Sequence, residues 1–525
     1  MQSPRAREEQ VNNQNCYVTG NNPDVAIIVM HDLYDWTFGN TRVLADQYAA
    51  EVGATVYVPD LSRFFGPGLD ADSLRTRFVQ HLSDMYRTEV PLYGDLVDIV
   101  LTVDTSALAS KSQGASDLPP RHQLERHGAI RLGTAQEMRL ISRLFRIMGM
   151  HPVGYYDLQI VGFPLHGTAF RPISEQSLSA NPFRVFTTVL RPSLITSPSV
   201  RKLAESILSN RQLFSPPLIE LMGVAETTGL LTEGDVADFI SEALKIFKWH
   251  SRSTVPLPTY QSLLKEHPMV ADIVCFPSAH INHLTPRTLD IDAVQEEMVR
   301  LGLPAKECIE GPPAGRKCEI LLRQTSFKAL EERVSFAGGD EEGVDGTHTA
   351  RFGEVEQRGA AVTKKGRQLY DRLLVSAMGM KETGRDMTEA LKETFVEYPD
   401  DWETLRKQGL VFFRYSVAKP GAVLSFESDK AHMDDLIRAG VVECEPITYE
   451  DFLPLSAAGI FTSNLGDDDR KLQETAGKGQ DGRAELEAVL DQKIPCETDM
   501  YDKLQSASVK ACEEALGLKQ ILLSA

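Results

Sequence analysis

Glu125-Arg-His-Gly-Ala-Ile-Arg-Leu-Gly133 is the stretch that decides how the rest of the chain is read. A histidine opens a run of small and branched apolar residues, the composition of a short buried strand. In an extended chain residues i and i+4 share a face, so His127 and Arg131 point to one side. Two readings fit: a metal-ligating imidazole beside a fixed cation, or a strand histidine with a surface arginine. Two further segments extend the pattern, Ile281-Asn-His-Leu-Thr-Pro-Arg287 and Phe352-Gly-Glu-Val-Glu-Gln-Arg-Gly359. Two histidines and a carboxylate on three separated, mostly extended segments are the donor set of a mononuclear non-haem Fe(II) centre. Such ligands hold one face of the ion and leave the other positions open for substrate and oxygen.

The residues alone leave choices inside that set. His280 and His283 form an H-x-x-H, but Pro277 and Pro286 bracket it and argue for extended or turn backbone rather than helix. Residues three apart in a strand face opposite sides, so one metal takes only one of the two. Glu354 and Glu356 are two apart, share a face, and either completes the triad.

Together with Pro164-Leu-His-Gly-Thr-Ala-Phe-Arg-Pro172 and Tyr449-Glu-Asp-Phe-Leu-Pro-Leu-Ser-Ala-Ala-Gly-Ile-Phe461, these segments resemble the 2-oxoadipate dioxygenase/decarboxylase (2-hydroxyglutarate synthase) family, in order, over residues 75–520. The resemblance implies a ligand set of His127, His283 and Glu354. The Asn-His-Leu-Thr-Pro-Arg motif selects His283. A Glu-x-x-Gln-Arg motif like that of 4-hydroxyphenylpyruvate dioxygenase selects Glu354, four before Arg358. His166, His280 and Glu356 are then expected to support the ligands, and Arg131, Gln324 and Ser456 to contact substrate. Arg131 suits a substrate carboxylate because its planar fork binds bidentately. Arg171 and Arg184 are expected in structural ion pairs. The implied cofactor is Fe(2+), and the implied partners are a 2-oxo diacid and O2. The implied reaction oxidatively decarboxylates 2-oxoadipate and hydroxylates the product to 2-hydroxyglutarate, a step of lysine catabolism. Two other readings use the same residues: a metal-dependent isomerase or lyase with Glu356 as base, and a non-catalytic binding protein.

Composition bounds the remaining classes. A chain of 525 residues, 42% hydrophobic and 25% charged, is long enough for more than one domain. Its net charge of −19 argues against nucleic acid or an anionic membrane as partner. No apolar run reaches the roughly 20 residues of a membrane span, and Met1-Gln-Ser-Pro-Arg-Ala-Arg-Glu-Glu lacks an apolar signal region. Seven scattered cysteines without C-x-x-C read as reduced thiols. A cytoplasmic location is expected, with organellar import left open.

The fold expectation is α+β: a vicinal-oxygen-chelate-like sheet or half-barrel core with large helical insertions, preceded by a partial β-α-β segment. In residues 1–70, Val25–Met30 and Ala54–Pro59 read as strands around a helix at Asn40–Val52, resembling a truncated dienelactone hydrolase start without its nucleophile elbow. That segment is expected to be a non-catalytic appendage. Residues 72–465 form the dioxygenase core, with a helical insertion over about 197–250 capped at Ser199 and Thr232. Residues 466–525 supply a charged loop and terminal helices. Thr134–Met150 is expected as an amphipathic helix, Tyr155–Val161, Phe183–Leu190 and Ile273–Phe276 as extended, and 334–350 as an acidic loop.

Overall fold

The computed structural model describes residues 69–110, 118, 120–338, 343–382, 384–418, 429–453 and 479–523, and before them 7–11, 14–19, 26–28, 49 and 55–59. The chain divides into two compact units, Met1–Leu74 with Ser215–Ala243, and Arg75–Phe214 with Leu244–Ala525. In the first unit, β1 (Arg7–Val11), β2 (Gln14–Thr19), β3 (Ala26–Ile28) and β4 (Thr55–Pro59) make a sheet of order β1-β2-β4-β3. The expected pair β3–β4 is parallel. Two antiparallel strands join it, from a polar N-terminal stretch that carries no strand alternation. The expected helix at Asn40–Val52 lies almost wholly outside the described residues.

The second unit is mixed α+β. Its main sheet takes β5 (His127–Leu132), β6 (His151–Asp157), β7 (Leu165–Arg171), β8 (Arg184–Leu190) and β9 (Leu284–Thr285) in the order β6-β7-β8-β5-β9. Strands β5, β7 and β8 are buried at every position, which is the signature of a sheet covered on both faces. Between β5 and β6 the helix Ala135–Ile147 starts at a capping box: Thr134 Oγ1 accepts from Glu137 N–H, and Glu137 Oε2 accepts from Thr134 N–H. Such caps contribute about 1 kcal/mol. Met138, Ile141, Leu144 and Phe145 are its buried stripe.

A second strand pair carries the carboxylates. β10 (Leu322–Ser326) runs antiparallel to β13 (Glu354–Arg358), opposing Ser326 to Glu354 and Gln324 to Glu356. The segment after β9 binds β13 through Thr288 N–H to Glu356 O, at 2.9 Å, and Glu356 N–H to Pro286 O, at 3.1 Å. The β5–β9 edge is thereby tied to β13, and His127, His283 and Glu354 are gathered despite their separation in sequence.

Four expectations need correction. Tyr155–Val161 is extended only as far as Asp157; Leu158–Val161 is a 3-10 turn capped by Asp157, whose Oδ1 accepts from Gln159 N–H. Ile273–Phe276 is not a strand: the helix Pro268–Val274 occupies the run, with Pro268 in its first turn and Val270, Ala271, Ile273 and Val274 all buried. A short apolar run reads equally as buried strand or buried helix. Residues 334–350 are not simply a loop. β11 (Glu331–Phe336) pairs with β12 (Val344–Thr349), because Val334 and Phe336 alternate into the core. The helix Pro198–Ser209 is capped by Ser197 rather than Ser199; Ser197 Oγ accepts from Val200 N–H. The expected helical content of 197–250 is met by Pro198–Ser209, Pro216–Thr228 and Glu233–Phe247.

Candidate metal centre

His127, the first residue of β5, is fully buried, and its imidazole is held from both ends. Nε2 lies 2.8 Å from Glu354 Oε2, while Nδ1 lies 3.1 Å from Glu356 Oε2. The spacing of the two glutamates explains this. They lie two apart on β13, share a face, and meet opposite nitrogens of one ring. His283 Nε2 is 3.6 Å from Glu354 Oε2, and the two imidazoles stand at 88° with centroids 5.4 Å apart. One donor atom each from His127, His283 and Glu354 lies within 4.8 Å of the others, and all three residues are buried.

The residues present fit a metal ion. Neither ring nitrogen of His283 has a hydrogen-bond partner among the described residues, and Glu354 Oε1 has none. Buried polar atoms left this way cost about 1–3 kcal/mol each, and a bound cation would satisfy one nitrogen of His283 and the Glu354 carboxylate oxygen. Burial, then the neighbouring His127, holds the His283 imidazole well below its usual range, so it is neutral and able to ligate. Glu354 Oε2, by contrast, is fixed by Thr285 Oγ1 at 3.0 Å and Gln324 Nε2 at 3.1 Å. Phe352 stacks on His283 at 4.7 Å and 26°, and Phe452 meets His127 edge-on at 4.8 Å.

Glu356 is already saturated. It accepts from Arg358 Nε at 2.5 Å and Nη2 at 2.9 Å, with Arg126 Nε at 3.3 Å. Burial alone would raise its pKa, but Arg358 and His127 outweigh that and hold it well below the carboxylate range. This ionised carboxylate lies 3.1 Å from His127 Nδ1, on the side of the ring opposite to Glu354. Further out, Arg126 Nη2 and Arg184 Nη2 bind Glu450 Oε2, at 3.0 and 2.5 Å, and Arg171 grips Asp451 with Nε at 2.7 and Nη2 at 3.1 Å. The expected structural role of Arg171 and Arg184 is what these contacts display.

The other expected site residues separate. Arg131 lies on β5 and gives Nη1 to Asp272 Oδ2 at 2.8 Å. It borders a cavity of about 950 Å³ also lined by Asp272, Lys306, Phe327, His348 and Phe352. The three ligand residues do not line that cavity; Phe352 belongs both to its wall and to the surroundings of His283. Gln324 gives an amide N–H to Glu354 Oε2, at the ligand cluster. His280 faces Asp272, away from the triad. His166 stands two strands from β5, about 10 Å across the sheet, with Tyr155 OH 3.4 Å from its Nδ1. It is therefore not a support of the ligands, contrary to expectation. Ser456 lies outside the described residues. Sequence reasoning missed Thr285, Asp272, His348 and Lys306. Thr285 was legible inside the Asn-His-Leu-Thr-Pro-Arg motif; the other three carried no local signal.

Comparison with known proteins places the chain. The family model for 2-oxoadipate dioxygenase/decarboxylase matches residues 78–464. The 2-oxoadipate dioxygenase/decarboxylase of Pseudomonas putida is 48% identical over 459 residues, covering 85% of this chain and 97% of the relative. That of Escherichia coli K12 is 47% identical, covering 85% and 98%. Among solved structures, the hydroxyglutarate synthase of Pseudomonas putida in complex with 2-oxoadipate superposes with a TM-score of 0.75 at 45% identity, covering 86% and 99%. The dienelactone hydrolase resemblance of residues 1–70 is not borne out; the matching family model begins at residue 78. With most of its length matched at nearly half identity, and with its two histidines and carboxylate converging, the chain belongs to the 2-oxoadipate dioxygenase/decarboxylase family.

Proposed function

We propose that the chain is an Fe(II)-dependent dioxygenase that converts 2-oxoadipate and O2 to 2-hydroxyglutarate and CO2. The observation that carries this is the contrast between the two glutamates of β13. Glu354 lies beside the imidazoles of His127 and His283 and keeps its other oxygen without a donor among the described residues, whereas Glu356 is committed to Arg358 and Arg126. Two imidazoles and one carboxylate suit Fe(II) and leave positions open for substrate and oxygen. When bound, the ion supplies the chelation point for the 2-oxo acid and the means of activating O2.

The protein's own residues do the rest. His127, His283 and Glu354 would hold the ion. Thr285 and Gln324 stop the Glu354 carboxylate from rotating, and Glu356 keeps His127 in the tautomer that presents Nε2. Arg131 binds a substrate carboxylate by charge-assisted pairing. Phe352 and Phe452 keep water from the ligand face, which protects an oxidising site from side reactions. The balance closes: 2-oxoadipate plus O2 equals 2-hydroxyglutarate plus CO2, with one oxygen atom entering the new carboxylate and one the new hydroxyl. No second 2-oxo acid is consumed. The isomerase alternative needs Glu356 as a base, and a carboxylate held ionised by two guanidinium groups is a poor proton acceptor.

The finer fold reading, a vicinal-oxygen-chelate-like core, is supported by ligands contributed from β5, β13 and the segment leading into β9. The reading of residues 1–70 as a non-catalytic appendage rests on every triad member lying at or beyond residue 127. Among the described residues no helix is long and apolar enough to cross a membrane. The test is turnover under 18O2: the proposal expects one labelled oxygen in the product hydroxyl and one in its new carboxylate. Product without label in both positions overturns it.

A further inference from the structure

Beside the metal centre lies a second buried cluster that the reaction chemistry leaves unused. Asp272, on the helix Pro268–Val274, is 5% exposed, His280 2% and His348 4%. Asp272 Oδ1 lies 3.0 Å from His280 Nε2 and 2.9 Å from His348 Nε2, and its Oδ2 accepts from Arg131 Nη1 at 2.8 Å. Tyr260 OH lies 3.0 Å from His348 Nδ1. Trp249 stacks on His348 at 12° and meets His280 edge-on at 4.9 Å, so both rings are fixed.

The cluster has the composition of a metal site, since its three donors also lie within 4.8 Å of one another. Its geometry says otherwise. Both imidazole nitrogens meet the same carboxylate oxygen at hydrogen-bond distance, and a guanidinium already occupies the other oxygen. A dication there would sit against the Arg131 cation. The arrangement instead locks a carboxylate: with two donors on Oδ1, Asp272 cannot rotate, and the direction in which Oδ2 meets Arg131 is set. Burial would raise the Asp272 pKa, but His280 and Arg131 hold it well below the usual range. Arg131 Nε and Nη2 have no partner among the described residues, and the side chain borders the cavity.

Resting on the function proposed above, we propose that Asp272, locked by His280 and His348, is the positioning residue that fixes Arg131 for bidentate capture of a carboxylate of the 2-oxo diacid. Asp272 balances the Arg131 charge, while the remaining N–H groups of the fork stay aimed by a rigid scaffold rather than by a flexible side chain.

The test is a double-mutant cycle in the Fe(II)-loaded full chain, with Asp272→Asn, Arg131→Met and the double variant, followed by oxygen uptake with 2-oxoadipate. Loss of a hydrogen bond to a charged group predicts a KM at least about ten-fold higher in Asp272→Asn. Saturated kcat should change far less, and iron bound per chain should stay the same. The double variant should be no worse than Arg131→Met alone, because Asp272 acts only through Arg131. An unchanged or lower KM, or effects that multiply in the double variant, would overturn the proposal. So would a second equivalent of iron in the parent protein that Asp272→Asn removes. If Asp272→Asn fails to fold, His348→Gln removes one of the two locking donors and carries the same comparison. If the parent protein consumes no oxygen, the functional reading has failed. The positioning inference is then judged by the same cycle in calorimetric 2-oxoadipate binding to the anaerobic Fe(II) protein.

Discussion

Replacing Glu356 by Gln and, separately, Glu354 by Gln separates the two carboxylates of β13 by what each is bonded to. Among the described residues Glu356 is the carboxylate that Arg358 pairs with directly, and the remaining hydrogen bonds of Arg358 go to the backbone oxygens of Tyr449 and Asp451 at 2.8 Å. Arg126 keeps Glu450 at 3.0 Å but loses its second anion. All three side chains are fully buried. Removing one partner of a buried pair costs about 3–5 kcal/mol because it strands an uncompensated charge. The amide NH2 would also face guanidinium donors. Glu356→Gln is therefore expected to lose about 3–5 kcal/mol in urea unfolding and, by releasing His127 Nδ1, about 10–100-fold in iron affinity. Glu354→Gln should behave oppositely: stability of the metal-free protein within about 1 kcal/mol, since Oε1 has no donor to lose, but iron binding abolished. The assay is paired urea melts of the metal-free proteins and iron titration of each. A Glu354→Gln variant that unfolds early, with a Glu356→Gln variant that is stable and iron-free, would refute the assignment.

Gly128→Ala places a Cβ 2.7 Å from His283 O and 2.5 Å from Ile281 Cδ1. A backbone oxygen cannot yield as a side-chain end does, so a loss of about 1–3 kcal/mol with weakened iron binding is expected by thermal melting and metal titration. Gln324→Ala frees Glu354 Oε2 from one donor and should lower iron affinity about 10-fold or more while leaving the fold intact by circular dichroism. His166 is held down to about 4, first by burial and then by Arg191, against about 6.5 when unfolded. Between those values the unfolded chain binds the extra proton, so stability falls as pH drops from about 6.5 towards 4. His166→Asn should flatten that part of a stability–pH curve.

The parts of the site that travelled with local sequence were legible. His127 opens a buried strand, His283 sits in a proline-bracketed extended segment, and Glu354 and Glu356 share a face, all of which follow from alternation and proline chemistry. The family motif assigns the two glutamates their roles, and the guanidinium groups around Glu356 agree with the proposed assignment. What escaped is long-range. Asp272 reaches Arg131 across 141 residues of sequence from a helix whose apolar run reads as a strand. His348 sits on β12, in a stretch whose glycines and acids look like a loop. His166 sits in a long family motif, yet the intervening strand β8 separates it from β5 and the triad. Motif membership ties a residue to the family, whereas only the sheet order says which residues touch.

The most direct measurement is oxygen uptake by the anaerobically Fe(II)-reconstituted protein on adding 2-oxoadipate, with CO2 and 2-hydroxyglutarate quantified by mass. One O2 consumed for each CO2 and each 2-hydroxyglutarate formed, and none of the three in His283→Ala, is the predicted result. Iron binding by the parent protein without oxygen uptake would contradict it.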